Sequence, residues 1–298
     1  MKPDQKKLFY SLAVFILTSS TWINAQDLES MLEEQMEEST DYVSATFKST
    51  RIMNGHSIER MPEGQLDFRV SHRFGRINSG AYEFFGLDQA NTHLSFEYGI
   101  IDWLMVGIGR GTFEKTVDGF FKLSLLRQST WKKSNPVSVS LLSAYLINGL
   151  RWSNPEDEYQ FVHRMEYVHQ VLIARKFTPE ISVQITPSYL HRNLVETAND
   201  PNDLFLIGSG ARIKITNRIS FNAEYFHVFK PDNSKSYTRF NNPLSFGFDI
   251  ETGGHVFQLI FTNSLAMREN GFLGQTTGRW LDGDIHFGFN ISRVFQIK

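Results

Sequence analysis

The sequence predicts an all-β protein: a closed antiparallel transmembrane β-barrel of about 12 strands, with 14 as the alternative, preceded by a signal peptide and a short N-terminal periplasmic segment. Three observations carry this. The N-terminus has the layout of an export signal, and from Tyr42 onward apolar and polar residues alternate with period two. The connections between those alternating segments also switch between tight and long along the chain.

The signal is the first element. Lys2, Lys6 and Lys7 make a basic head, Leu8 to Leu17 an apolar run, and the polar stretch after it ends on Ala25, where cleavage is placed. The run is too short to cross a hydrocarbon core about 30 Å thick as a helix, and no later segment has the ~20 consecutive apolar residues that a spanning helix needs. The mature chain is therefore either soluble outside the cytoplasm or a barrel. The full chain's charge balance of −2 offers no basic excess for phosphates, so nucleic acid is not an expected partner. The absence of cysteine rules out disulfides and thiolate metal sites.

Residues 26–64 form the second element. Leu28, Met31, Leu32, Gln35 and Met36 mark one stripe of a short helix, with a solvated acidic linker as the other reading. An extended stretch follows at 43–52. It is open whether this is a plug, a periplasmic strand, or half of a further hairpin that would bring the count to fourteen. Residues 27–60 are a candidate contact for a periplasmic partner.

Residues 65–298 form the barrel. Strands are expected near 65–74, 92–99, 103–111, 118–129, 137–148, 160–176, 180–191, 204–215, 219–229, 243–250, 255–263 and 284–295. Tight turns are expected at 99–102, 131–136, 177–180, 216–218 and 251–254. Longer polar loops fall at 75–91, 149–159, 192–203, 230–242 and 265–283, with the short loop near 112–117 as an exception. Five short turns, with both chain ends on the same side, close twelve strands.

The first strand shows the two faces. Leu66, Phe68, Val70, His72 and Phe74 share one parity, and Asp67, Arg69, Ser71 and Arg73 the other. A hairpin centred near Glu83 pairs Arg69 with Glu97, Ser71 with Ser95 and Arg73 with His93, and on the opposite face Leu66 with Ile100, Phe68 with Tyr98 and Val70 with Phe96. Around eight strands, side chains just fill a barrel, so twelve with Phe and Ile inward would pack poorly. The apolar row is therefore assigned to lipid and the polar row to the lumen; a periplasmic sandwich with the apolar row inside is the competing arrangement. Tyr98, Trp103, Trp131, Tyr145, Tyr189, Tyr225, Phe229 and Phe295 fall near strand ends, as interfacial girdles do.

The stretches at 47–59, 66–90, 118–122 and 283–295 resemble a family of outer-membrane β-barrels from Gram-negative bacteria whose function is not known. The resemblance covers nearly the whole mature chain. It implies the barrel fold and export, here to the outer membrane of a Gram-negative bacterium. The outward apolar row makes outer-membrane lipid an expected partner, and a last strand that ends close to Phe295 makes the barrel-assembly machinery another. The resemblance brings no substrate and no functional residues.

The chemistry expected of the lumen is ionic. Arg69, Arg73, His93, Glu97, Arg164, Glu166, Arg212, Lys214 and Glu224 all carry the inward parity. In a wet lumen they would select small polar or anionic solutes; in a closed one they would hold the barrel together. No catalytic residue, metal site or cofactor is assigned. His163 and His169 lie about 20 Å apart along a strand. Glu196, Asp200 and Asp203 form a solvated acidic loop more readily than a cation site. A hydrolase built on Ser264 and a neighbouring histidine is the least favoured reading, because no nucleophile elbow is present.

Overall fold

The structure is a computed structural model and describes residues 41–130, 134–152, 159–198, 200–230 and 239–298. The signal peptide, its cleavage site, the acidic helix at 27–40 and Trp131 lie outside the described residues. The described residues within 42–129 and 135–298 form one compact unit.

Twelve antiparallel strands close into a barrel. They are β1 (Gln65–Arg76), β2 (Ala90–Ile101), β3 (Leu104–Gly111), β4 (Val117–Leu126), β5 (Ser138–Ile147), β6 (Met165–Lys176), β7 (Ile181–Arg192), β8 (Asp203–Lys214), β9 (Ile219–Phe229), β10 (Leu244–Thr252), β11 (His255–Thr262) and β12 (His286–Gln296). Each strand pairs with the next in sequence, and β12 pairs with β1 to leave no open edge. Closure satisfies every strand's ladder, which a hydrocarbon environment demands. The tight turns at 177–180, 215–218 and 253–254 lie on the same rim as the chain ends; the connection after β4 is longer than expected and runs from 127 to 137.

Burial follows the parity read from the sequence. Along β1, Asp67, Arg69, Ser71 and Arg73 are buried while Leu66, Phe68, Val70 and Phe74 are half-exposed. The outward face carries a chain of ring contacts. Phe74 stacks on Phe287 with centroids 5.8 Å apart, Phe287 meets Phe261 at 5.4 Å, Phe261 meets Phe246 at 5.9 Å, and Phe246 stacks on Trp280 at 4.9 Å. Such rings pack against each other and still leave apolar edges for lipid.

The register of β1 on β2 differs from the expected one by two residues. Leu66 faces Tyr98, Asp67 faces Glu97, Phe68 faces Phe96 and Arg69 faces Ser95, so the hairpin is centred nearer Tyr82. A shift of two keeps each side chain on its face. It also sets two carboxylates opposite each other, and the pairing is tolerable because a third group intervenes. Arg69 Nη2 lies 2.7 Å from Asp67 Oδ2 and 3.9 Å from Glu97 Oε2. Arg51, from the segment before the barrel, reaches Glu97 Oε1 at 3.7 Å. The cation that a two-strand argument drew only from Arg69 comes partly from elsewhere.

That segment is the largest departure from the expected layout. Residues 26–64 are expected in the periplasm, but Thr46 to Ile58, apart from half-buried Lys48, are buried inside the cylinder. There they form a tight hairpin, hereafter the strap: Ile52 N–H donates to the Gly55 carbonyl and Ser57 N–H to the Thr50 carbonyl, both at 2.9 Å. Its two arms enter and leave by the chain-end rim, where Val43 N–H donates to the Gln128 carbonyl and Gly64 N–H to the Gly99 carbonyl. Residues 46–58 are thus not displayed as a free periplasmic surface. The fourteen-strand alternative fails, since none of 43–52 joins the barrel sheet.

A second insertion comes from the opposite rim. The loop between β11 and β12 folds inward and carries a short helix, α1 (Glu269–Gly274), with all six residues buried. The lumen wall that receives these insertions is not uniformly polar. Leu142, Leu146, Val168, Leu190, Leu204, Leu206, Phe226 and Val228 point inward and pack around Phe272 and Leu273 of α1. Leu172 and Ala174 cluster with Phe47, Ile52 and Ile58 of the strap. A lumen of this width stays dry and apolar on one side only when something apolar fills it.

Candidate functional site: the plugged lumen and its outer mouth

The polar half of the wall holds the strap by its backbone. Gln258 Nε2 donates to the Ile52 carbonyl at 3.0 Å, Asn290 Nδ2 to the Met53 carbonyl at 3.1 Å, Gln184 Nε2 to the His56 carbonyl at 2.8 Å, and Lys122 Nζ to the Ser57 and Glu59 carbonyls at 3.1 and 2.8 Å. Arg73 Nη2 donates to Asn54 Oδ1 at 2.8 Å. Glu224 accepts from the opposite polarity: its carboxylate takes the Asn54 and Gly55 backbone N–H groups at 2.7 and 3.1 Å. A hairpin with no strand on either side has unpaired backbone groups, and in a dry interior each must find a partner.

Strap and inward loop meet at a buried ionic latch. Arg51 donates to Glu269 at the start of α1, and both side chains are nearly inaccessible. His56 Nε2 lies 3.5 Å from the same carboxylate. Thr50 donates to Glu97 and accepts from Arg69 Nη2 at 2.7 Å. Further along the loop, His93 Nε2 lies 2.5 Å from Asp118 Oδ1, and Arg268 Nε lies 3.4 Å from Asp118 Oδ2. Buried ions are tolerated when paired and hydrogen-bonded like this.

The nine residues assigned to the lumen divide as follows. Arg69, Arg73, His93, Glu97, Glu166, Arg212 and Glu224 are buried within the barrel. Five of them, Arg69, Arg73, Glu97, Arg212 and Glu224, touch the strap by hydrogen bond or ion pair; Arg212 does so through the Thr46 carbonyl at 3.4 Å. Lys214 ends β8 half-exposed at the chain-end rim. Arg164 is not in the lumen: it lies in the turn before β6, with its guanidinium 3.9 Å above the Trp152 ring. Sequence reasoning missed Arg51, Asn54 and Glu269, which sit outside any strand and carry no period-two signal. It also missed the inward leucines.

At the long-loop rim a cleft opens beside Glu166. One cavity of about 150 Å³ is lined by Glu114, Asn148, Glu166, Arg192, Leu194 and Phe240 among others. A second, of about 100 Å³, shares Asn148, Glu166 and Leu194 and reaches Trp152 and Arg164. Glu114 is held there by an unusual turn, with positive φ at both Glu114 and Lys115. Gly149 N–H donates to the Glu114 carbonyl at 3.0 Å, and a side chain at Gly149 would collide with the Lys115 carbonyl at 2.5 Å. Burial pushes the Glu114 carboxyl above the usual carboxylate range.

The acidic loop at 196–203 is tied up internally. Arg239 Nη2 donates to Glu196 at 2.6 Å and to Asp200 at 2.9 Å, and Asp203 accepts from Tyr189 at 2.5 Å. Among the described residues, no group of three or more histidines and carboxylates is placed to hold a metal ion. Ser264 Oγ donates to the Ala266 carbonyl at 3.3 Å. Ser143 lies 2.9 Å from His169 Nδ1 on the outward face, and among the described residues no carboxylate orients that histidine.

The family model described as "Membrane bound beta barrel domain (DUF5777)" matches residues 47–295. The chain belongs to this family. The match starts at Phe47, inside the strap, so the plugging segment is part of the family domain along with the strands. The family's fold and the lipid-compatible outer face make this domain an outer-membrane β-barrel in contact with outer-membrane lipid. No curated protein matches the chain. Among solved structures it is similar to the NanC porin, at 11% identity and a TM-score of 0.49 over 78% of this chain and 99% of that one. It is also similar to a COG4313 outer membrane channel from Pseudomonas putida F1, at 11% identity and TM-score 0.45 over 80% and 98% of the two chains. A third is Omp33 of Acinetobacter baumannii, at 8% identity and TM-score 0.41 over 78% and 99%.

Proposed function

We propose that this barrel is a gated passage for small polar or anionic solutes, closed at rest by its own N-terminal strap. The observation that carries the reading is how the strap is attached. Among the described residues, Thr46 to Ile58 form no backbone ladder with any barrel strand; side chains of the wall hold them, and both arms leave by one rim. The strap can therefore withdraw without opening the sheet. The surface it would uncover includes Arg69, Arg73, Glu97, Gln258 and Asn290, the kind of charged lining that sorts small ions and polar molecules by sign and size.

Planar-bilayer recording tests it. Purified wild-type protein is expected to show little conductance in salt, and a variant lacking residues 46–58 to show discrete steps. The cysteine-free chain allows a sharper version. Asn54 Nδ2 donates to Ser245 Oγ at 3.0 Å, so Asn54→Cys with Ser245→Cys tethers the strap tip to the wall. Oxidised protein should stay silent under conditions where reduced protein opens. A folded, strap-deleted barrel that passes no ions defeats the proposal. It would favour a closed structural or partner-binding barrel, which the dense pairing of buried charges also suits. A hydrolase is the weakest reading, given the partners of Ser264 and His169.

A further inference from the structure

We infer that the cleft at the long-loop rim, between Glu114 and Glu166, is a binding site for a small alkylammonium ion. Three observations converge there. The two cavities, about 150 and 100 Å³, share Asn148, Glu166 and Leu194, which gives room for several non-hydrogen atoms. Glu166 is only 7% exposed and lines both cavities; Asn270 is its side-chain partner, and its Oε2 is left without one. Glu114, in the loop after β3, also lines the cleft; Gln275 is its side-chain partner and its Oε2 is unpartnered.

The charge count selects the ligand's sign. Glu196, also at the cleft, is engaged by Arg239. Arg192 stands opposite Glu166 in the register of β6 and β7, and its Nη2 donates to the Pro201 carbonyl at 2.8 Å. At the first cavity the carboxylates of buried Glu166 and half-buried Glu114 stand beside one guanidinium, Arg192, while Arg164 at the second cavity donates to the Asn148 carbonyl and covers Trp152; a buried unpaired carboxylate is costly. An ammonium group brings one positive charge and three donors, enough to reach both free oxygens. Leu194 and Phe240 supply an apolar wall for an alkyl stem, and the indole of Trp152, covered by Arg164, closes the second cavity. A metal ion suits the cleft less well, since among the described residues no third acidic or histidine ligand joins the pair.

This site does not depend on passage through the lumen. The test is calorimetric titration of the full chain in detergent with ethylammonium chloride, with ethanol and sodium chloride as controls. Saturable one-site binding is expected for ethylammonium and none for ethanol. Glu166→Gln and Glu114→Gln should each weaken it at least tenfold, with the heat-dependent gel mobility of the folded barrel as the check on structure. If Glu166→Gln does not fold, Glu114→Gln, which lies outside the strands, carries the comparison. Absence of saturable binding, binding as tight as wild type in both carboxamide variants, or equal competition by sodium overturns the assignment. A strap-deleted barrel that passes no ions but binds ethylammonium refutes the gate and leaves this site standing.

Discussion

The backbone N–H of Asn54 donates to Glu224 Oε1 at 2.7 Å, across 170 residues of chain. The N–H groups of Gly55 and Met53 converge on the other oxygen of the same carboxylate at 3.1 and 3.3 Å. One side chain on β9 thus caps the tip of a strap that begins before the barrel does. The tip can approach so closely because Gly55 has no side chain: a Cβ there would lie 3.0 Å from the Phe226 ring.

Glu224→Ala should free the tip. The loss of a buried acceptor shared by three donors is expected to destabilise the plugged state by about 2–3 kcal/mol. Limited trypsin digestion reads it directly, because Arg51 becomes cleavable when the strap leaves the lumen. Unchanged resistance at Arg51 in a folded variant would show that the carboxylate does not hold the strap.

Arg51 and Glu269 should couple strongly. Each single alanine variant removes the nearest partner of a buried charge, leaving Arg51 only Glu97 or Glu269 only His56, and is expected to cost about 3 kcal/mol, and the double variant less than the sum of the two. Urea unfolding in lipid vesicles gives the four values of the cycle. Additive costs would mean that the latch carries no pairwise energy.

Gly99 marks the strap's exit. A Cβ at this position would stand 2.0 Å from the Pro62 carbonyl oxygen, a contact only a backbone shift can relieve. Gly99→Ala should therefore break the hydrogen bond from Gly64 N–H to the Gly99 carbonyl. Hydrogen exchange at Gly64 is expected to accelerate at least tenfold, with exchange in β6 and β7 unaffected.

Asp284 ties the inward loop to β1 at the long-loop rim. Its carboxylate takes a hydrogen bond from Asn78 at 2.9 Å and an ion pair from Arg76 at 3.1 Å. The Asn78 bond is the largest influence holding its pKa below the usual carboxylate range. A carboxyl depressed in the folded state contributes stability above its unfolded pKa and loses it as the pH falls through the folded value. Exchange of backbone amides at 279–285 should speed up in that acid window, and Asp284→Asn should abolish the pH dependence. A wild-type loop whose exchange protection is flat through the window contradicts this.

Lipid contact predicts a fifth outcome. Ile291 sits mid-way along β12 on the outward face, between the inward Asn290 and Ser292. Ile291→Arg is expected to cost roughly 2–4 kcal/mol in a bilayer if it lies near the midplane. Equilibrium folding into vesicles measures it, and a cost below about 0.5 kcal/mol would argue that this face does not meet hydrocarbon.

The faces and the strand number were readable because period two is a local property. Asp67, Arg69, Ser71 and Arg73 declare their side by alternation alone, and shifting β1 on β2 by two residues did not move them across the wall. The register itself was less readable. It depended on where the 77–89 loop turns and on Arg51, which relieves the Asp67–Glu97 juxtaposition from outside the pair of strands. Inward leucines left a trace that was passed over: Leu141 and Leu142 are adjacent, as are Leu204, Phe205 and Leu206, so both parities are apolar there. In a barrel with lipid on one side, that pattern says something apolar lies on the other.

By itself, the amino-acid order determined a twelve-stranded closed sheet with an oily exterior and an ionic interior row, since alternation and loop length are written residue by residue. Tertiary structure alone decided that the interior is filled, that Thr46 to Ile58 and α1 fill it, and that Glu224 meets Asn54 while Glu114 shares a cleft with Glu166. Those contacts join residues with no common period or neighbouring strand. They follow from which buried polar groups and apolar surfaces found partners once the cylinder closed around them.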